Sequence, residues 1–293
     1  MATEHVSAPG GTDVAKTPRM TLAGRRLFGI DNRFLPPLLI TSILLTAHLS
    51  FGILEGWEKT GLAIATAIGT EIVLGYLTYG RIPHPASAYI SGISCGILLR
   101  SPFLWPYVLC AFISILTKYV LRINGRHIWN PSNFGVSAVL FLAPQTASLL
   151  SIQWGNVVAP MVVIWTLGSV IVWRAGRFHQ SATYVASFLA FSWVRAAVTG
   201  TPWLASVAPL TGPMYQLYVF FMITDPKTSV RSKWGQAATV FVVALVEMVL
   251  RLNEVVYAPF YALFFVGPAA LFLEALLDAR RQAPSAAPRP ATA

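Results

Sequence analysis

Apolar residues run along this chain in blocks of roughly twenty, separated by short polar clusters or by prolines. The blocks fall at 34–54, 60–80, 86–100, 103–122, 131–144, 155–174, 181–199, 204–223, 234–252 and 255–277. A helix rises 1.5 Å per residue, so about 20 apolar residues cross the ~30 Å of hydrocarbon in a bilayer. The pattern predicts an all-α membrane protein with about ten transmembrane segments. The third and fifth blocks are short, and each follows an irregular stretch, Arg81-Ile-Pro-His-Pro and Asn130-Pro-Ser-Asn. Short or proline-interrupted segments of this kind mark broken helices that line a site. Ten segments with short ones in the interior predict a five-plus-five inverted repeat, although direct sequence repetition is faint.

Composition agrees with that pattern. Of 293 residues 55% are hydrophobic and only 11% charged, with a mean hydropathy of +0.62, where soluble domains carry about 25% charged residues. The formal net charge of +10 would suit a nucleic-acid partner, but the basic residues recur at the ends of apolar blocks, as topology determinants do. Nucleic acid is therefore not an expected partner; the bilayer is. With the N-terminus inside, 17 of the 21 lysines and arginines fall on the cytoplasmic side, leaving only Lys59, Arg100, Arg195 and Arg251 outside. The chain is expected to be multi-pass in a bacterial-type cytoplasmic (inner) membrane, with both termini cytoplasmic and an even number of crossings. Residues 1–33 lack the apolar core of a cleavable signal. They read as a disordered leader, 278–293 as a disordered tail, and 34–277 as a single membrane domain.

Few residues can carry chemistry. Cys95 and Cys110 lie inside apolar blocks, and the histidines have no metal-ligand spacing, so no metal site is expected. Glu71 sits near the middle of the second block, where an unpaired carboxylate is costly. It is either a contact for an ion, proton or ligand, or a structural partner of a cation on a neighbouring helix. Lys118 ends the fourth block and either snorkels to the interface or faces inward. Glu247 has Arg251 four residues on, a spacing that allows pairing. Gly92-Ile-Ser-Cys-Gly96 permits close helix approach within the molecule.

The two richest stretches are both on the cytoplasmic side. One is Asn124-Gly-Arg-His-Ile-Trp-Asn-Pro-Ser-Asn-Phe-Gly135, and the other is Phe220-Phe-Met-Ile-Thr-Asp-Pro-Lys-Thr-Ser-Val-Arg231. Each sets polar side chains around a proline, which lacks an N–H and disfavours helix at the residue before it. That arrangement frees groups to meet a ligand; it also serves simple capping by Asn130, Ser132 or Asp225.

At these stretches the chain resembles the NqrB/RnfD family, membrane subunits of sodium-pumping NADH:quinone reductase and of the Rnf electron-transport complex. The resemblance rests on Ser91-Gly-Ile, Lys118, His127-Ile-Trp-Asn-Pro-Ser-Asn-Phe-Gly, Phe221-Met-Ile-Thr-Asp-Pro-Lys-Thr-Ser, the last two blocks and the placement of Glu71. It implies a ten-helix fold, flavin binding and partners in a redox complex. The family attaches FMN to a threonine in a long loop after the fifth span. Here that loop, about 145–154, has no Gly-Ala-Thr-like segment, and Ser181-Ala-Thr183 falls on the cytoplasmic side, so covalent FMN is not expected. The lost loop and the motif wording look closer to a shortened branch found in enediyne biosynthetic clusters, the UnbU type.

The resemblance thus implies electron transport as part of a larger complex, with non-covalent riboflavin or FMN, or a quinone. Its candidate binding residues are Lys118, His127, Asn130, Asn133, Thr224, Asp225, Lys227 and Thr228, with Glu71 on any polar path through the membrane. Two other readings stand beside it: a solute or ion permease, and a membrane accessory of an enediyne-type pathway. If catalytic, the chain is a subunit of an oxidoreductase, since no nicotinamide or iron–sulfur motif is present.

Overall fold

A computed structural model describes residues 35–52, 54–150 and 158–282. The protein is all-α, with 76% of the described residues helical. In chain order the helices are α1 (Leu35–Phe51), α2 (Trp57–Tyr79), α3 (Ala86–Leu98), α4 (Trp105–Val120), α5 (Pro131–Leu142), α6 (Val158–Arg174), α7 (Phe178–Thr199), α8 (Trp203–Val207), α9 (Pro213–Leu217), α10 (Lys233–Leu252) and α11 (Ala258–Gln282). Three of them, over Trp57–Tyr79, Lys233–Leu252 and Ala258–Arg281, are long and apolar enough to cross a membrane. Their outward faces carry large apolar side chains such as Leu77, Phe265 and Leu276. Soluble proteins rarely expose such surface continuously, whereas hydrocarbon welcomes it.

Helices occur over nine of the ten apolar blocks as largely continuous elements. The eighth is broken into α8, a 3₁₀ turn over Ala208–Thr211, α9 and a π turn over Tyr218–Met222. Pro209 and Pro213 account for the first two breaks, because each removes a helical donor. α3 and α5 have 13 and 12 residues, about 18–20 Å of helix, short of a full crossing. Below α3 the chain turns extended, and β1 (Leu99–Arg100) pairs antiparallel with β4 (Ser148–Leu149). A second two-stranded ladder joins β2 (Arg122–Ile123) to β3 (Arg126–His127). The last helix continues through Gln282, five residues beyond the expected end of the membrane domain. The expected disordered leader (1–33) and most of the expected tail lie outside the described residues.

Packing is set by small residues. α2 buries Thr60, Ala63, Ala67, Glu71 and Gly75, a stripe at three- and four-residue spacing along one face. α3 lies against it through the expected glycine pair. A Cβ on Gly92 would stand 2.6 Å from Ile64 Cα, and one on Gly96 would stand 2.9 Å from Thr60 Cα. Backbones this close exclude any side chain, as small-residue membrane interfaces do. α2 also packs on α4 and α4 on α5, while α7 packs on α10 and α10 on α11. Gly92→Val should therefore lower stability by about 1–3 kcal/mol through overpacking, seen as a lower melting temperature in detergent. An unchanged melting temperature would contradict this close approach.

Candidate functional site

The site begins with a tight turn. Asn124 (φ 49) and Gly125 (φ 74) both adopt positive φ, as the two-residue hairpin turn between β2 and β3 requires. The hairpin presents Arg126 and His127 beside the start of α5. Arg126 Nη1 pairs with Glu274 Oε2 of α11 at 2.9 Å, and its Nη2 donates to the Ser229 carbonyl. Arg126 thus ties the first motif to the second.

α5 starts at Pro131, where the missing N–H costs nothing. Asn130 is extended and caps the helix, its Oδ1 accepting the Asn133 N–H at 3.0 Å. The same amide donates through Nδ2 to Asp225 Oδ2 at 3.3 Å, across 95 residues of sequence. The second motif leaves the π turn at Met222. Thr224 folds back, its hydroxyl donating to the Phe220 carbonyl at 2.6 Å. Asp225 Oδ1 accepts the Lys227 N–H at 3.0 Å, and its carbonyl accepts the Ser229 hydroxyl at 2.8 Å. Asn130 and Asp225 therefore both cap their own chain ends and meet each other.

A third element completes the enclosure. Pro268 lies inside α11 and cannot donate to the carbonyl four residues earlier. That carbonyl, on Phe264, accepts the Trp129 indole N–H at 2.8 Å. One turn away, the Asn133 amide donates to the Phe260 carbonyl at 3.1 Å. The indole stacks edge-on to Phe134 and leans against Phe264.

Between these elements is a cavity of about 30 Å³ lined by Asn130, Asn133, Gln180, Thr228, Gln236 and Pro268, among others. It is far smaller than the several hundred Å³ of a typical small-molecule pocket. Its wall is mostly apolar, with several polar side chains set into it. Asn133 Oδ1 and Gln180 Oε1 are buried there without a hydrogen-bond partner, a state that ordinarily costs free energy unless something meets it.

The surroundings are basic. Burial pushes the His127 imidazole down to about 4, and the positive charges of Lys227, Arg122 and Lys118 push in the same direction. Its Nδ1 has no partner. Arg177 precedes α7, feels Asp225 and Arg126, and keeps Nη1 buried without a hydrogen bond. Lys227 is exposed at the rim.

Lys118 does not reach the cavity. Its ammonium donates to Glu71 Oε2 and to Ser87 Oγ, both at 3.1 Å, while the Tyr119 hydroxyl donates to Glu71 Oε1 at 3.1 Å. Glu71 is thus a partner in a buried ion pair. A second buried carboxylate, Glu247, accepts Tyr184 at 2.5 Å and Arg251 Nε at 2.9 Å, and also the Tyr215 hydroxyl. The Glu247–Arg251 pairing follows from their spacing; the two tyrosines do not. The candidate residues Asn130, Asn133 and Thr228 line the cavity, and Asp225 braces it. Lys227 and Lys118 supply charge nearby, His127 stays neutral beside them, and Thr224 serves its own helix. Gln180, Trp129 and Arg177 belong to the site without having been expected there. Pro268 was a usable signal for Trp129, since it orphans a carbonyl; Gln180 carries none. Ser181, beside it, donates inward to the Val219 carbonyl at 2.9 Å. Among the described residues no three His, Cys, Asp or Glu side chains gather as metal ligands.

No family model matches the chain, and no curated protein matches it.

Two measurements test this geometry. A histidine whose folded pKa lies below its unfolded value of about 6.5 binds fewer protons when folded. Its contribution is complete above that value and is lost as pH falls toward 4, by up to about 1.4 kcal/mol per pH unit. Thermal melts between those limits should show a steeper decline for the native chain than for His127→Asn; parallel curves would refute the assignment. Lys118→Met should cost about 3–5 kcal/mol by stranding a buried carboxylate. Adding Glu71→Gln to it should restore much of that loss, and a simply additive double variant would show the two are not coupled.

Proposed function

We propose that the chain is an integral membrane subunit of an electron-transfer complex that holds a flavin or quinone non-covalently at the convergence of its two proline motifs. The supporting observation is the contact between Asn130 and Asp225, which joins motifs 95 residues apart. It places them in a basic setting over two unpartnered amide oxygens. This reading includes about ten membrane segments in a five-plus-five inverted repeat, with both termini in the cytoplasm. The packing of α2 on α4 and α4 on α5, echoed by α7 on α10 and α10 on α11, supports the repeat. It also assigns the chain to the inner membrane and to a branch resembling NqrB/RnfD, with further redox or biosynthetic subunits as partners.

The residues fit a flavin in polarity and only partly in room. Asn133 and Gln180 offer acceptors suited to the N–H edge of an isoalloxazine ring, and Asn130 and Thr228 offer further polar contacts. The enclosed volume of about 30 Å³ admits no ring, so these groups would grip an edge while the body of the cofactor lay outside the cavity. A bound flavin supplies one- and two-electron redox chemistry; the protein supplies binding, orientation and charge. Lys227 at the rim and Arg177 beside Asp225 favour an anionic ligand. Asp225 holds the Asn130 amide and attracts Arg177 through space, and His127, neutral in this setting, adds no charge at physiological pH. A permeation path through Glu71 would require the Lys118 and Tyr119 contacts to open first.

Purification in mild detergent, from cells expressing the neighbouring genes as well, should give a protein with extractable flavin or quinone. Asn130→Leu and Asp225→Leu should each lower occupancy by about tenfold or more, the worth of a hydrogen bond to a charged group. A colourless preparation with neither cofactor would sink the reading.

A further inference from the structure

A groove of about 760 Å³ opens on the outward side between α10 and α11, on the far side of those helices from the inner cavity. We propose that it binds one anionic phospholipid of the surrounding membrane, with the acyl chain along the groove and the phosphate at its charged end. The inference rests on the membrane reading of α10 and α11 alone and is independent of any redox role.

The groove exists because its floor is made of short side chains. Gly235, Ala238, Ala269 and Ala270 line it, flanked by Val242 and Leu273. Such a floor alone would also fit a helix of another protein; the charges at its mouth argue for a lipid. Arg231, Glu274, Asp278 and Arg281 lie there, and both acids are already engaged. Asp278 pairs with Arg231 at 2.9 Å. Glu274 pairs with Arg126 at 2.9 Å and accepts the Arg231 backbone N–H at 2.6 Å. Arg281 and Lys233 are exposed and have no ion pair among the described residues. The mouth therefore carries uncommitted positive charge over an apolar slot. Basic pockets between membrane helices take lipid headgroups of opposite charge. An apolar partner helix would leave those cations unanswered. Trp234, 89% exposed on the same end of α10, belongs to the aromatic belt that marks headgroup depth. The mouth thus sits where a phosphate would be.

Native mass spectrometry of the full chain in mild detergent, with added phosphatidylglycerol, phosphatidylcholine or inorganic phosphate, tests this. One phosphatidylglycerol should be retained per chain, in preference to phosphatidylcholine. Arg281→Gln should weaken retention about fivefold, the effect of one surface cation on lipid binding. Ala238→Phe fills the slot from an exposed position and should abolish retention while the helical signal and elution profile stay unchanged. If that variant fails to fold, Arg281→Gln still decides the matter. Equal retention by Arg281→Gln, equal binding of phosphatidylcholine, or full competition by inorganic phosphate would overturn the proposal. So would cross-linking of an Ala269→Cys variant to another protein subunit in native membranes.

Discussion

The structure depends on one constraint: in an apolar setting every backbone polar group needs a partner. Proline breaks that rule wherever it enters a helix, and each break near the site is answered by a named side chain. Pro268 orphans the Phe264 carbonyl, and the Trp129 indole takes it. Pro131 begins α5 where no donor is needed, and Asn130 caps the turn behind it. The π turn before the second motif is followed by Asp225, whose carboxylate and carbonyl collect the next N–H and hydroxyl groups. These repairs reach between elements, so satisfying the backbone also assembles the site. Polar side chains that look like ligand contacts are first of all structural, and among the described residues around the site Asn133 Oδ1, Gln180 Oε1, His127 Nδ1 and Arg177 Nη1 remain for anything else.

Charge inside the apolar layer follows a parallel rule. Glu71 on α2 is answered by Lys118 on α4, and Glu247 on α10 is answered by Arg251 together with tyrosines from α7 and α9. Both carboxylates stand between helices that pack directly on each other. Desolvation makes a lone charge there expensive, and pairing with well-placed hydroxyls offsets that cost without making the pair a large net gain. What such pairs supply is registry, since sliding either helix by one residue would separate the partners.

Helices, their approximate ends and the two motifs were legible because an apolar run of that length has few other ways to satisfy its backbone. The Gly92 and Gly96 contacts and the Glu247–Arg251 pair were legible for local reasons, being fixed by spacing on one helix. The eighth segment showed its prolines, yet the order of 3₁₀, α and π turns between them depends on tertiary contacts. Nothing local indicates that Asn130 would meet Asp225, or that Trp129 would reach a carbonyl 135 residues away. Gln180 is a polar residue in a basic turn, indistinguishable in sequence from a solvated one. α11 outruns its apolar stretch because Glu274 and Asp278 find cationic partners in Arg126 and Arg231. The proposed cofactor and the proposed redox complex rest on resemblance and chemistry rather than on spacing.

The turn of α11 around Pro268 is shared between two environments. Gly267 and Pro268 face the inner cavity, while Val266, Ala269 and Ala270 face the outer groove, and Thr239 and Val230 border both. Only one layer of helix backbone separates them, and its hydrogen bonding is already completed from outside by Trp129. Whatever displaces that turn from one side must be accommodated on the other. Thermodynamic coupling of this kind is reciprocal: a molecule that favours one position of the turn from the membrane side changes the affinity on the inner side by a factor, and is itself bound more or less tightly by that same factor. The turn around Pro268 is thus the place where a lipid in the outer groove, as proposed above, would bear on the inner site.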